Sequence, residues 1–389
     1  MDTGSKNFYD LVGSALGTLE NYQGYLDNVM ASKYNGLQLD GFDFAPGMQV
    51  GFTYAQIQKE LNLNVMATYV DKDSQGKNRG TKGFQLTTGK IPRMKTRREY
   101  DEDQMREIMV LQQRFGGNNV QALNAALSAL FTTTDDMIGS HTNSLTYQRH
   151  QMVSKGKLEL LDTNNPNGIV NVSFSANVPT KNITQKTLTD RWWTSSAHTT
   201  EGSTSNPIKD LIAIVRAARL RGITDVHFEA DFFTLEDTLN HSAVKMAIGY
   251  AAAPMANSDS VAAAIATNLG FDGQKAALER IIKTPINMID SIVSVEKWDN
   301  ATKSLGYTQL RSFAPDVFVL VPNGNLGEVL TVEPLRLPLN NGTYGDFYGG
   351  RLLLTVDFEV QQKIQYFSSE MTSLVVPNKP QTMYYLNIL

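Results

Sequence analysis

VDKDSQGKNRGTKGFQLTTGKIPRMKTRR, running from Val70 to Arg98, decides how the rest of this 389-residue chain is read. Lys72, Lys77, Arg79, Lys82, Lys90, Arg93, Lys95, Arg97 and Arg98 are set against only Asp71 and Asp73. The segment has few large apolar residues, so it buries too little surface to offset the entropy of ordering itself. Strand character at Leu63–Tyr69 and Gly83–Met94, around a tip rich in Gly, Lys and Asn, predicts a long two-stranded arm. An isolated hairpin is marginal in water, so such an arm takes its order from neighbouring molecules. That pattern points to assembly rather than catalysis.

Upstream, residues 1–60 scatter Phe8, Tyr9, Tyr22, Tyr25, Tyr34, Phe42, Phe44, Phe52 and Tyr54 among glycines. Only Leu11, Ala15, Leu19, Tyr22 and Leu26 keep a helical spacing, so the remainder reads as an extended arm. Downstream, the pattern turns helical at Asp101, with Met105, Ile108, Met109 and Leu111 on one face; Asp101, Glu102 and Asp103 suit the positive end of the helix dipole. Gly116 and Gly117 interrupt it. A longer helix follows through Val120, Leu127, Ile138, Leu145 and Met152 to Lys155-Gly156.

Residues 157–180 are β-rich, around an Asn-Pro-Asn-Gly turn. Asn206-Pro207 opens a helix, with Asn as N-cap and Pro in the first turn, and Gly222 ends it. Asp225–Phe233 alternates as a strand. Helices are expected over 235–248, 258–268 and 274–283, and strands at Asp316–Val321 and Glu328–Val332. The stretch from 200 to 335 therefore reads as a compact α/β lobe. The tail, Gly350–Leu389, is strand-rich and is expected to rejoin the sheet begun near 158. No internal repeat is present.

Composition narrows the function. The chain contains no cysteine, which excludes disulfides, thiolate metal sites and cysteine nucleophiles. The start, MDTGSKNFYD, lacks the basic-then-apolar order of a secretory signal, so a cytoplasmic product is expected. A net charge of −4 is too near neutral for a general nucleic-acid binder. The positive charge is concentrated in one segment, which suits contact with an acidic partner surface.

The most catalysis-like group is His227, Glu229 and Asp231, which share one face of the predicted strand. Imidazole and carboxylates in a row suit zinc or iron. The competing reading is a half-buried strand with Val226, Phe228, Ala230 and Phe232 inward and the polar residues outward. The other histidines, His141, His150, His198 and His241, are scattered, and His141 and His150 fall on opposite sides of their helix. Gly83–Lys90 is not a phosphate loop: the glycine spacing is one residue too long, and Ile91 stands where Ser or Thr should hold magnesium. The basic hairpin itself has three readings. It binds phosphates with salt-sensitive affinity, it is a solvated loop, or it lies on a neighbour's acidic helix start, such as Asp101–Asp103 or Asp135-Asp136.

The order of arm, hairpin, long helix, β segment, α/β lobe and returning β tail resembles the tailed-bacteriophage major capsid proteins, most nearly the lambda-like capsid protein E family. GKIPRMKTRREYDEDQ (Gly89–Gln104) looks like that family's hairpin descending into its spine helix. TYQRHQMVSKGKLEL (Thr146–Leu160) looks like the end of that helix, where the family carries an Arg or Glu before a small turn and a strand. RWWTSSAHTTEGSTSNPIKDL (Arg191–Leu211) resembles the passage that opens its central lobe. The resemblance implies an α+β capsid fold: an N-terminal arm over 1–60, an extended hairpin over 61–100, a spine helix and first peripheral part over 101–195, an axial domain over 196–338 and a returning peripheral part over 339–389.

It also implies a non-enzymatic shell protein, without cofactor or metal, that builds an icosahedral head of hexamers and pentamers around double-stranded DNA. Its partners would be itself, a portal, scaffolding protein and a decoration protein, with no membrane. It would reside in the virion after assembly in a bacterial cytoplasm. Lys82, Lys90, Arg93, Lys95, Arg97 and Arg98 are the expected inter-subunit contacts. In one branch of the superfamily a hairpin lysine forms an isopeptide bond, a role open to Lys82 or Lys90. The alternatives are an encapsulin-like compartment shell and, more distantly, a metal-dependent enzyme built on the His227 strand.

Overall fold

The computed structural model describes residues 39–59, 84–100, 102–103, 106, 110, 120–166, 168, 172–187, 189–299, 304–336, 343–359 and 364–389. The helix expected between 11 and 26, the strand Leu63–Tyr69 and Lys82 lie outside them. The helix expected from Asp101 is described only at Glu102, Asp103, Arg106 and Val110, all helical. The fold is α+β, and it forms two compact units, each drawn from three stretches. The described residues of Met1–Tyr54, Lys90–Thr146 and Glu328–Val375 make one, and those of Ala55–Gly89, Tyr147–Gly327 and Val376–Leu389 make the other.

The first unit is built on a six-stranded sheet. Its strands are β1 (Phe42–Phe44), β4 (Arg93–Tyr100), β13 (Gly327–Val332), β14 (Thr343–Phe347), β15 (Leu352–Glu359) and β16 (Ile364–Pro377), in the order β1-β13-β16-β15-β14, with β4 also on β16. β16 is long and rich in β-branched and aromatic residues. It pairs antiparallel with β15 from Ile364 to Met371 and with β4 from Gln365 to Thr372. The long helix α1 (Val120–Lys155) presents Met137, Ile138, His141 and Leu145, all buried, at helical spacing. His141 Nε2 lies 2.8 Å from Ser369 Oγ, and Thr142 Oγ1 lies 2.9 Å from the Tyr348 hydroxyl, so this part of α1 packs on the sheet.

The second unit contains a five-stranded sheet of β7 (Ile183–Gln185), β17 (Tyr384–Asn387), β12 (Val317–Pro322), β8 (Val226–Asp231) and β9 (Ile286–Ile289), in that order. Alternation along these strands sends Phe228, Ala230, Phe318, Leu320 and Leu386 to one face. There they join Trp192, Leu211, Val215, Leu235, Val244, Ala266 and Leu278. Those residues come mostly from α2 (Pro207–Leu220), α3 (Phe232–Asn240), α4 (Ser242–Ala252), α5 (Asp259–Asn268) and α6 (Gly270–Ile282). The α2 cap is as expected: Asn206 Oδ1 accepts from Lys209 N–H at 3.0 Å, with Pro207 in the first turn. α1 ends at Gly156, whose φ of +65° no β-branched residue adopts without strain.

Four expectations differ from the fold. The hairpin's paired strands are β2 (Thr53–Lys59) and β3 (Phe84–Lys90), and the chain breaks at Pro92, which has no N–H for a ladder. β4 is therefore a strand of the first unit's sheet rather than part of an unsupported arm. The single helix expected over 235–248 is two, because His241 turns extended and its Nδ1 accepts from Ala243 N–H at 3.2 Å, capping α4. The tail does not rejoin the strand near 158. Among the described residues β5 (Lys157–Leu160) pairs only with β6 (Val172–Ser175), while β15, β16 and β17 enter the two larger sheets. Finally, Ile292–Asp299 and Ser304–Arg311 form an unforeseen antiparallel hairpin, β10–β11.

Candidate functional site

The predicted contact residues converge on β4. Its register places Arg93, Lys95 and Arg97 on one face, with Met94, Thr96 and Arg98 on the other. The Arg93 guanidinium donates to Glu370 at 2.5 Å, and Lys95 Nζ lies 3.2 Å from the same carboxylate. Burial alone would raise the Glu370 carboxyl, but the hydrogen bonds and charges of Arg93 and Lys95 outweigh it and hold the group below the usual carboxylate range. Arg97 pairs with Glu99 at 3.2 Å and lies 3.9 Å above the Tyr366 ring. On the other face Arg98 reaches Asp136 at 3.1 Å, and Thr96 Oγ1 sits 3.0 Å from Ser140 Oγ, both on α1.

Four of the six expected contact residues thus have partners within their own chain. Asp136, expected to receive a neighbour's hairpin, receives Arg98 of the same molecule. Lys90, at the end of β3, is exposed, and Lys82 lies outside the described residues. The outer edge of β4 has no strand partner among the described residues. An open edge carrying Arg93, Lys95 and Arg97 behind Pro92 is guarded against indiscriminate strand pairing, since charge and proline both oppose edge-to-edge association. A contact here has to be complementary in charge.

The His227 row is committed to pairing within the protein. Glu229 is 1% exposed and takes a bidentate contact from Arg149, Nη1 donating to Oε2 at 2.7 Å and Nη2 to Oε1. His227 Nε2 lies 3.5 Å from the Glu229 carboxylate and Nδ1 2.5 Å from Asn323 Oδ1, while Asp231 pairs with Arg311 at 3.3 Å. Burial would raise the Glu229 carboxyl, but the His227 hydrogen bond and the Arg149 guanidinium together lower it. Among the described residues no His, Cys, Asp and Glu group is arranged to hold a metal. The alternative reading also fails in one respect. Glu229 and Asp231 do not point outward, because the end of α1 covers this second face of the sheet. Sequence reasoning missed Arg149. The signal was a cation at helical spacing from Leu145, Met152 and Val153, all buried, which requires a buried counter-charge.

The chain has recognisable relatives. The family model for phage major capsid protein E matches residues 28–273. No curated protein matches in sequence. Among solved structures, a prophage capsid-protein candidate of Escherichia coli CFT073 is 14% identical, with a TM-score of 0.47 over 95% of this chain and 98% of that one. The capsid of cyanophage P-SCSP1u is 8% identical, with a TM-score of 0.44 over 90% and 86%. The capsid of cyanophage A-1(L) is 10% identical, with a TM-score of 0.43 over 88% and 89%. With well over half of its length matched, the chain belongs to the phage major capsid protein E family.

Proposed function

We propose that copies of this chain close into an icosahedral phage head of hexamers and pentamers that holds double-stranded DNA and is nucleated with portal and scaffolding proteins in the host cytoplasm. The family match across residues 28–273 is the observation that carries this reading. As a capsid protein the chain works through multimeric contact, with its place in the virion shell. The expected role of Lys82, Lys90, Arg93, Lys95, Arg97 and Arg98 is refined here. Arg93, Lys95, Arg97 and Arg98 first hold β4 to its own sheet and α1, and then present their remaining hydrogen-bonding capacity to an acidic surface of the next copy. Lys90, exposed at the end of β3, and Lys82 keep their expected role as contacts between copies. The chemistry is mechanical, many modest heterologous contacts summing to closure, and no catalytic step is assigned.

Negative-stain microscopy of the recombinant protein tests the reading. Shells, tubes or sheets are expected. A monodisperse monomer that stays so at high concentration, with and without scaffolding protein, would refute it.

A further inference from the structure

The β10–β11 hairpin is a second two-stranded ribbon, distinct from the β2–β3 pair, and its Lys297 Nζ lies 3.3 Å from Asp162 of the same chain. Eight residue pairs are in register, from Ile292 with Arg311 to Asp299 with Ser304, and neither strand joins another sheet among the described residues. At about 3.3 Å per residue it is roughly 26 Å long. Its root is fixed by polar contacts. Ser312 N–H and Oγ both donate to Ser291 O, at 2.9 and 2.8 Å, while the fully buried Ser312 also meets His150 Nδ1 at 2.7 Å and accepts at its carbonyl from Gln151 at 2.6 Å. Arg311 adds the Asp231 pair and lies 4.1 Å over the Phe233 ring.

Above that root the two faces differ. Val293, Val295 and Leu310 are half-buried. Ile292, Ser294, Glu296, Tyr307 and Gln309, which the register places on the opposite face, are exposed, Ile292 at 53% and Tyr307 at 66%. A two-stranded ribbon with one bare face and two open edges is marginal by itself in water. A rigidly rooted ribbon of this kind, with large apolar side chains on its bare face, is a docking element. We infer that the Ile292–Tyr307 face of the β10–β11 hairpin docks on a second copy of this chain in the assembled shell. The occupant follows from family membership: every capsid-protein molecule is surrounded by others, and a heterologous contact lets each copy give its hairpin to one neighbour and receive one from another. The inference rests on the shell-forming reading above.

The absence of cysteine makes a direct test simple. Tyr307→Cys introduces the only thiol, and a maleimide probe reports its accessibility in dissociated subunits and in assembled particles. Labelling at least tenfold slower in particles is expected. Ile292→Lys combined with Tyr307→Lys should leave the subunit's far-UV spectrum and melting temperature unchanged and lower particle yield at least tenfold. Particles of the Tyr307→Cys variant whose thiol labels at the free rate, or a double-lysine variant that assembles normally, would overturn the hairpin contact while leaving the shell reading intact. Unmodified chains that never assemble would overturn both.

Discussion

Replacing Glu229 with Gln removes the counter-charge of Arg149 with almost no change in volume. Both side chains are sealed, at 2% exposure for Arg149 and 1% for Glu229, and the guanidinium donates twice to the carboxylate. In Glu229→Gln the Arg149 charge stays in a low-dielectric site with one neutral acceptor where it had two charged ones. Breaking a buried pair from one side costs about 3–5 kcal/mol. At roughly 2–4 °C per kcal/mol for a body of this size, the melting temperature should fall by about 6–20 °C. Removing both charges, Arg149→Met with Glu229→Leu, leaves no buried charge unpaired, only the half-buried His227 Nε2 without its carboxylate, and should recover most of that loss, since an ion pair replaced by apolar groups is often neutral or stabilising. Urea unfolding of dissociated subunits for the wild type, both single variants and the double variant gives the coupling directly, expected at about 2 kcal/mol or more. A loss below about 1 kcal/mol for Glu229→Gln would refute the argument, as would a double variant no better than the worse single one, because either would mean water already reaches the pair.

Three further outcomes follow from the same structure. His141 and His150 are held neutral by burial, each lowered from 6.5 to about 4. Unfolded histidines take up protons below pH 6.5 while the folded ones do not, so stability is whole above that pH and falls towards pH 4, by about 3 kcal/mol per histidine over the full window. Urea midpoints from pH 7 to 4 should show the decline, and a flat profile would contradict it. Gly249→Ala would place a methyl 1.9 Å from Ala262 O, a backbone atom with nowhere to move, so α4 and α5 must separate. A loss of about 3 kcal/mol or more, or insoluble expression, is expected, against only about 1 kcal/mol for Gly222→Asn, where space is open and the φ of +78° is the sole cost. Arg93→Ala and Lys95→Ala remove contacts to Glu370 from side chains that are about half exposed, so each should cost the isolated subunit less than about 1 kcal/mol, read by thermal melts. A disproportionate drop in particle yield would then assign these cations to contacts between copies.

Local chemistry was readable in the sequence, and distant pairing was not. Asn206-Pro207 announced α2 because a cap is decided within four residues. Lys155-Gly156 marked the end of α1 for the same reason. The alternation of Val226–Asp231 gave the strand, but its direction of burial depended on Arg149, far away in the chain and on another element. Pro92 was the clue that β3 and β4 belong to different pairs, and it was outweighed by the continuous basic character of Lys90–Arg98. The tail's strands were recognised as strands, yet a strand carries no local mark of its partner, so the sheets they enter could not be named. The β10–β11 ribbon went unseen because Lys297, Gly306 and Thr308 interrupt the apolar face that carries Val293, Val295 and Leu310.

β16 lies at the heart of one sheet and β17 between β7 and β12 in the other. Both leave the ribosome after every strand they pair with, so the first sheet cannot close until synthesis has passed residue 377, nor the second until it has passed 387. Partners so far apart in sequence make for slow closure. A product cut short before Ile364 therefore lacks an interior strand of both sheets and has no finished surface to offer. Translation order thereby acts against incomplete polypeptides, which arrive without either finished sheet.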